Sequence, residues 1–143
     1  MPETVAIAAD HGGFDLKTAL LPELRALGFE VLDLGTGSTD AVDYPDYATP
    51  LAEMIAAGKA SRGVLICGTG IGMTIAANRN RAVRAALCHD GLTARLARQH
   101  NDANVLVLGG RLLGIEAAKD CVRNFFGASF EGGRHARRVA KLS

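Results

Sequence analysis

The chain has few cysteines, and no two of them are closely spaced. The three cysteines are Cys67, Cys88 and Cys121, which lie far apart along the 143 residues. Zinc sites use closely spaced cysteines, and disulfide frameworks use an even number, so the sequence predicts neither. Free thiols are typical of a reducing compartment, and we therefore expect a cytoplasmic protein.

Long apolar runs and a strong net charge are also absent. No stretch approaches the ~18 apolar residues of a membrane span. The first residues lack the basic and apolar regions of a secretory signal, so we expect none. With a net charge of +1 and 5% aromatic residues, the composition is not that of a general nucleic-acid binder. The sequence therefore predicts neither a membrane nor a nucleic-acid partner.

The composition that is present is ordinary for a globular protein. Apolar residues make up 48% of the chain and charged residues 22%. A chain of this length can bury one core, and the sequence shows no repeat, low-complexity tract or linker. We therefore expect a single domain over residues 1–143.

Short apolar runs alternate with stretches that are long enough for helices. The runs are almost continuous in Val, Ile, Leu and Ala, which is typical of strands covered by helices on both faces. They span residues 5–9, 30–34, 64–67, 85–88 and 105–108. The sequence therefore predicts the α/β class: a three-layer α/β/α Rossmann-like domain with a five-stranded parallel sheet. It leaves the strand order open.

The remaining pattern predicts the helices and one long loop. Helices are expected over residues 14–27, 50–57, 73–78, 92–100 and 115–126. Pro22 falls inside the first helix and predicts a kink or a split there. Residues 35–50 are polar and contain prolines, which predicts a loop that turns into the next helix.

A thiol followed by a row of glycines is the most informative segment. Cys67 ends the third apolar run, and Gly68, Gly70 and Gly72 follow it just before a predicted helix. Glycines let backbone N–H groups approach a ligand oxygen, and a helix start adds further unpaired donors. The row matches neither the P-loop nor the dinucleotide fingerprint. A base beside such donors is what proton abstraction next to a carbonyl requires.

Other polar residues follow predicted strands or helices. Asp10 and His11 come directly after the first strand, where Asp10 has the alternative role of capping the first helix. His100 and Asn101 precede the fifth strand, and we interpret His100 as an acid/base at the same rim. Its alternative role is to stabilise a helix C-terminus.

Two further groups of polar residues can be explained without a catalytic role. Arg134 and Arg138 are four residues apart, so they share a helix face and either grip a phosphate or form a solvated surface. Cys88, His89 and Asp90 are consecutive in a strand, where neighbours point to opposite faces, so they do not converge as a catalytic triad. We expect Cys88 and Cys121 in the core and Asp90 at a helix cap.

Taken in order, these segments resemble the ribose-5-phosphate isomerase B family, also called the RpiB/LacAB sugar-phosphate isomerases. The resemblance covers nearly the whole chain and is carried by residues 9–13 (ADHGG), 43–45 (DYP), 66–72 (ICGTGIG), 98–102 (RQHND), 110–111 (GR) and 131–135 (EGGRH). It implies interconversion of D-ribose 5-phosphate and D-ribulose 5-phosphate through an enediolate. It also implies that no metal or other cofactor takes part.

The resemblance also implies a role for each site residue. Cys67 is the base, His100 opens the sugar ring, and Asp10 and Thr69 assist. The cradle for the enediolate is the backbone of Gly68, Thr69, Gly70, Ile71 and Gly72, and Asn101 holds substrate hydroxyls. The phosphate set is His11, Arg111, Arg134 and Arg138. One branch of the family has a glutamate base after the glycine row, where this chain has Met73, so the chain matches the cysteine branch.

The resemblance further implies a homodimer, or a dimer of dimers, whose active site takes residues from both subunits. Three alternatives stay open from the sequence. One is activity on six-carbon sugar phosphates, a second is a phosphosugar sensor without turnover, and a third is a flavodoxin-like nucleotide or flavin module. The missing P-loop lysine and the lack of an aromatic-rich loop disfavour the third.

Overall fold

The computed structural model of the protein describes residues 2–142. Its strands are β1 (Thr4–Ala9), β2 (Glu30–Asp33), β3 (Arg62–Cys67), β4 (Ala85–Leu87) and β5 (Val105–Gly109). Its helices are α1 (Phe14–Ala26), α2 (Pro45–Ala56), α3 (Ile71–Ala77), α4 (Gly91–Asn101), α5 (Ile115–Gly127) and α6 (Arg134–Ala140). Within this described range, no helix is long and apolar enough to cross a membrane.

The five strands form one parallel sheet in the order β2-β1-β3-β5-β4. In the central strands, Ile7 pairs with Val64, and Val64 pairs with Leu106. Because all strands run in the same direction, the residues after β1, β3 and β5 meet at one edge, which we call the carboxyl edge. The opposite edge, where the strands begin, is called the amino edge.

The core lies in two layers, one on each face of the sheet. Alternate residues of β1 point to opposite faces, so Ile7 packs with α1, α4 and α5, while Ala8 packs with α2 and α3. Phe125 of α5 is the largest fully buried side chain of the first layer, and Leu51 of α2 anchors the second. This arrangement confirms the predicted α/β/α layers and the five-stranded parallel sheet.

The expected split of the first helix at Pro22 is wrong. Helix α1 continues through this residue, and Pro22 lies on its exposed side. Proline removes one helix hydrogen bond, at a cost of about 3 kcal/mol. The opposite face of α1 buries Leu16, Leu20 and Leu24 against the sheet. Burial of three leucines contributes more than this cost, because each is worth about 1.5–3 kcal/mol.

The expected loop over residues 35–50 is also too long, because α2 already begins at Pro45. Proline is favoured in the first helical position, where its missing N–H has no partner to lose. Pro50 lies inside the helix on its exposed face, while Ala48, Leu51 and Ala52 are buried. The basic C-terminal segment forms α6, for which the sequence predicted only a shared face of Arg134 and Arg138.

Candidate active site

The site is built around the end of the central strand. Cys67 is the last residue of β3, and only 5% of its surface is exposed. The backbone N–H of Gly110 donates to the carbonyl oxygen of Cys67 over 2.7 Å, and the N–H of Arg111 donates to Gly68 over 3.0 Å. The segments that follow β3 and β5 are therefore joined by backbone hydrogen bonds at Cys67 and Gly68.

The glycine row forms a tight turn into α3. Gly70 has a φ of +82°, a backbone conformation that favours glycine. A Cβ atom at this position would lie 3.1 Å from the backbone carbon of Leu108. The backbone N–H of Ile71 donates to the Thr69 hydroxyl over 3.2 Å, and the Thr74 hydroxyl donates to the Gly70 carbonyl over 2.8 Å. The turn therefore lies directly against β5.

Asp10 and His11 lie at the same edge, after β1. The Asp10 carboxylate is buried and accepts hydrogen bonds from the N–H groups of Gly12 (2.9 Å) and Gly13 (3.2 Å). It holds the turn before α1, whose cap position itself is Gly13. The Nδ1 atom of His11 accepts from the N–H of Val42 over 3.1 Å. A proton on a neutral His11 ring therefore resides on Nε2, which is a donor suited to a phosphate oxygen.

Two more side chains lie against the glycine row. A Cβ atom at Gly68 would lie 3.4 Å from the Arg111 side chain, so this guanidinium is close to the glycine row that follows Cys67. A Cβ atom at Gly72 would lie 2.6 Å from the ring of Tyr44. The sequence left the role of Tyr44 open, and the structure packs its ring on the start of α3.

The structure does not bring His100 to this edge, so the expectation that it lies at the same rim is wrong within one chain. Helix α4 follows β4 and runs back across the sheet for 11 residues, or about 16 Å. Near its end, Arg98 donates to the carbonyl oxygen of Ala103, and Arg84 contacts Asp102. Since Arg84 precedes β4 and Ala103 precedes β5, the end of α4 lies at the amino edge.

His100 instead belongs to a second cluster with residues near α6. The rings of His100 and His135 are stacked, with centroids 4.3 Å apart and planes at 13°. The Oε1 atom of Glu131 lies 3.8 Å from Nε2 of His100 and 3.7 Å from Nε2 of His135. A cavity of about 310 Å³ adjoins the cluster and is lined by His100, Asn101, His135, Arg138, Val139 and Leu142. Glu131 and His135 belong to the motif of residues 131–135, but the sequence analysis assigned neither of them a role.

This cluster is a poor metal site in its observed geometry. The ligand atoms of His100, Glu131 and His135 all lie within 4.8 Å of one another. A metal about 2.0–2.1 Å from two imidazole nitrogens lies in the plane of both rings. Because the two rings are stacked and nearly parallel, no point satisfies both planes until one ring turns.

The other cysteines and Asp90 have the structural roles that the sequence predicted. Cys88 and Cys121 are buried in the core, where burial raises the pKa of Cys88 to about 11 and that of Cys121 to about 12. The Asp90 carboxylate caps α4 and accepts from the N–H of Thr93 over 2.7 Å. This hydrogen bond lowers the pKa of Asp90.

Comparison with known proteins gives the family. The model of the Ribose/Galactose Isomerase family matches residues 5–142. A relative from Escherichia coli K12, named ribose-5-phosphate isomerase B, is 46% identical over 97% of this chain and 93% of its own. A solved ribose 5-phosphate isomerase from Thermotoga maritima is 51% identical, covers 98% of this chain and 97% of its own, and superposes with a TM-score of 0.95. The type B enzyme of Trypanosoma brucei is 46% identical, with coverages of 99% and 97% and a TM-score of 0.96. The chain therefore belongs to the ribose/galactose isomerase family and is a sugar-phosphate isomerase.

Proposed function

We propose that this chain, as a single domain over residues 1–143, interconverts D-ribose 5-phosphate and D-ribulose 5-phosphate through an enediolate. The observation that carries the proposal is the thiol of Cys67 at the end of the central strand, directly before a glycine row that lies close to Arg111 and to the turn after β1, which carries His11. The names of the relatives in Escherichia coli and Thermotoga maritima support ribose 5-phosphate as the substrate.

In this mechanism Cys67 moves a proton between two neighbouring carbons of the open-chain sugar. The thiolate takes the proton from C2 of the aldose, and the pair of electrons passes to the C1 carbonyl oxygen, which gives the enediolate. The O2 proton then passes to O1, so that C2 becomes the carbonyl carbon, and return of the carbon-bound proton to C1 gives the ketose. A carbon next to a carbonyl is a weak acid, so the developing oxygen charge must be stabilised. Backbone N–H groups from Gly68 to Gly72 supply this, and one such donor is worth about 3 kcal/mol.

The phosphate lies away from the reacting carbons and serves to orient the sugar. At the carboxyl edge, Nε2 of His11 and the guanidinium of Arg111 are the donors for it. Arg134 and Arg138 share one face of α6 and add a bidentate grip. Asn101 holds sugar hydroxyls.

One chain alone does not assemble all of these groups. Cys67 lies at the carboxyl edge, whereas His100 and Asn101 lie at the amino edge. Helix α6 lies beside His100, because Arg138 lines the same cavity, so the arginines of α6 reach the substrate phosphate only from another copy of the chain. We therefore infer a homodimer, alone or within a dimer of dimers, in which each site combines Cys67 of one protomer with His100 of its partner. His100 then opens the sugar ring together with Asp10, and Thr69 assists.

The surface at the carboxyl edge supports this inference. Large apolar side chains that are each more than half exposed surround it: Ile71, Ile75, Leu92, Leu112 and Ile115. A cluster of exposed apolar residues is typical of a surface that another protein covers. Here the surface adjoins a site that lacks its acid/base, so the covering protein that fits is a second copy of the chain.

The direct test is formation of ribulose 5-phosphate from ribose 5-phosphate with EDTA present. We expect turnover by the wild-type protein without a metal, near-complete loss with Cys67→Ala, and retention with Cys88→Ala, which removes a thiol from the core instead. If Cys67→Ala stays active, Cys67 is not the base. If the wild type is inactive, the assignment of ribose 5-phosphate fails. The alternatives to test are then turnover of six-carbon sugar phosphates and binding of a sugar phosphate without turnover. The cytoplasmic location stays a prediction from the sequence.

A further inference from the structure

Glu131 is placed beside His100 by the backbone as well as by its side chain. Its N–H donates to the carbonyl oxygen of Gln99, the residue before His100, over 3.0 Å. Its carboxylate Oε1 lies 3.8 Å from Nε2 of His100. This separation is too long for a hydrogen bond, but it is within the range of an ion pair. Rotation of the half-exposed Glu131 side chain can shorten it when the site is occupied.

His135 packs against the His100 ring. It is only 6% exposed, its ring stacks on His100, and its Nε2 atom has no hydrogen-bond partner in the described part of the chain. Burial, followed by the charge of Arg134, lowers the pKa of His135. His135 is therefore neutral at neutral pH, so it does not form a full ion pair with Glu131. The carboxylate is left to act on His100.

The arginines of α6 place positive charge close to the two histidines, and the Glu131 carboxylate lies between these rings. Arg138 lines the same cavity as His100, and Arg134 begins the helix that carries His135. Through their charge, Arg134 and Arg138 lower the pKa of His135, and the carboxylate between the two histidines acts in the opposite direction. The charged and titratable groups around His100 are thus Glu131, His135, Arg134 and Arg138.

We propose that Glu131 is a positioning residue for the isomerase reaction, which orients the His100 ring and stabilises the proton that this ring carries during sugar-ring opening. The buried ring of His135 serves as the fixed surface on which His100 stacks. This inference rests on the proposed function, in which His100 opens the ring.

The test separates ring opening from proton transfer at carbon. Ribulose 5-phosphate has no furanose form, because its 5-oxygen carries the phosphate. Exchange of its C1 hydrogen in D2O therefore needs Cys67 and the glycine row but not ring opening. Steady-state turnover of ribose 5-phosphate needs both. The variants are Glu131→Gln, the conservative Glu131→Asp, His100→Asn, and Glu53→Gln as a matched charge change on the exposed face of α2.

We expect Glu131→Gln to lower kcat for ribose 5-phosphate about tenfold with little change in KM, and His100→Asn to lower it about 100-fold or more. Glu131→Asp should recover part of kcat, and Glu53→Gln should match the wild type. Exchange at C1 should persist in all four variants, which also shows that they are folded. An unchanged kcat in Glu131→Gln, or a parallel loss of kcat and C1 exchange, overturns the role of Glu131. Full turnover by His100→Asn instead refutes the ring-opening role of His100 on which the inference rests.

Discussion

Replacement of Gly70 by alanine should destabilise the protein strongly, because two separate costs meet at this residue. Its φ of +82° lies in the left-handed region, and a Cβ atom would lie 3.1 Å from the backbone carbon and 3.2 Å from the backbone oxygen of Leu108. The same atom would lie 2.5 Å from the tip of Leu87, whose side chain can move. Backbone in β5 has no such freedom, so the glycine turn must shift.

The size of the effect follows from these two costs. A left-handed conformation costs a residue with a Cβ about 1–2 kcal/mol, and overpacking against a rigid neighbour costs about 1–3 kcal/mol. Together they amount to about 3 kcal/mol of unfolding free energy. For 143 residues, the unfolding entropy is about 0.3 kcal/mol per kelvin, so Tm should fall by about 10 °C.

Gly58→Ala is the matched control, because Gly58 has a φ of +74° but no atom within 4 Å of the position of a Cβ. It carries the conformational cost alone, and its Tm should fall by about 3–6 °C. Both variants can be compared with the wild type by thermal unfolding in the same buffer. Equal losses of Tm in Gly70→Ala and Gly58→Ala would refute the close approach of the turn to β5.

Two further predictions concern titratable side chains. Because burial raises the pKa of Cys88 to about 11 and that of Cys121 to about 12, a thiol reagent near neutral pH should leave both thiols unmodified in the folded protein, as measured by mass spectrometry. More than one adduct before unfolding would contradict this. Burial and Arg134 lower the pKa of His135, so the unfolded chain binds this proton more readily. The contribution of His135 to stability is therefore complete above about pH 6.5 and is lost as the pH falls through its lowered folded value. His135→Phe should show a smaller loss of Tm from pH 8 to pH 5 than the wild type, and equal losses would rule out the buried neutral ring.

The layers of the fold could be predicted from the sequence because the pattern that encodes them is local. A strand buried on both faces is apolar at every position, and the run that becomes β3 shows this directly. Pro22 predicted a split that does not occur, and the predicted start of the second helix at Pro50 was too late, for the opposite reason. Proline has a local cost, whereas the burial that outweighs it comes from the far side of the same helices and from the sheet.

The carboxyl-edge part of the site was predictable in the same way. Asp10 directly follows β1 and Cys67 ends β3, and parallel strands bring their ends together. His100 lies at the end of a helix, and the direction of α4 moves it to the other edge. The packing of Tyr44 on Gly72 and of His135 on His100 joins segments far apart in sequence. Such contacts form only in the folded chain, so the pattern of neighbouring residues in the sequence does not predict them.

A site shared between subunits, with Cys67 from one protomer and His100 from its partner, can be tested by mixing two variants. Cys67→Ala and His100→Asn should each be inactive alone. When equal amounts are mixed and allowed to exchange subunits, half of the dimers contain one chain of each kind, and each of these has one intact site. With a shared site, the mixture should recover about a quarter of wild-type activity. Mixtures that stay as inactive as the separate variants, after subunit exchange has been verified, would contradict it.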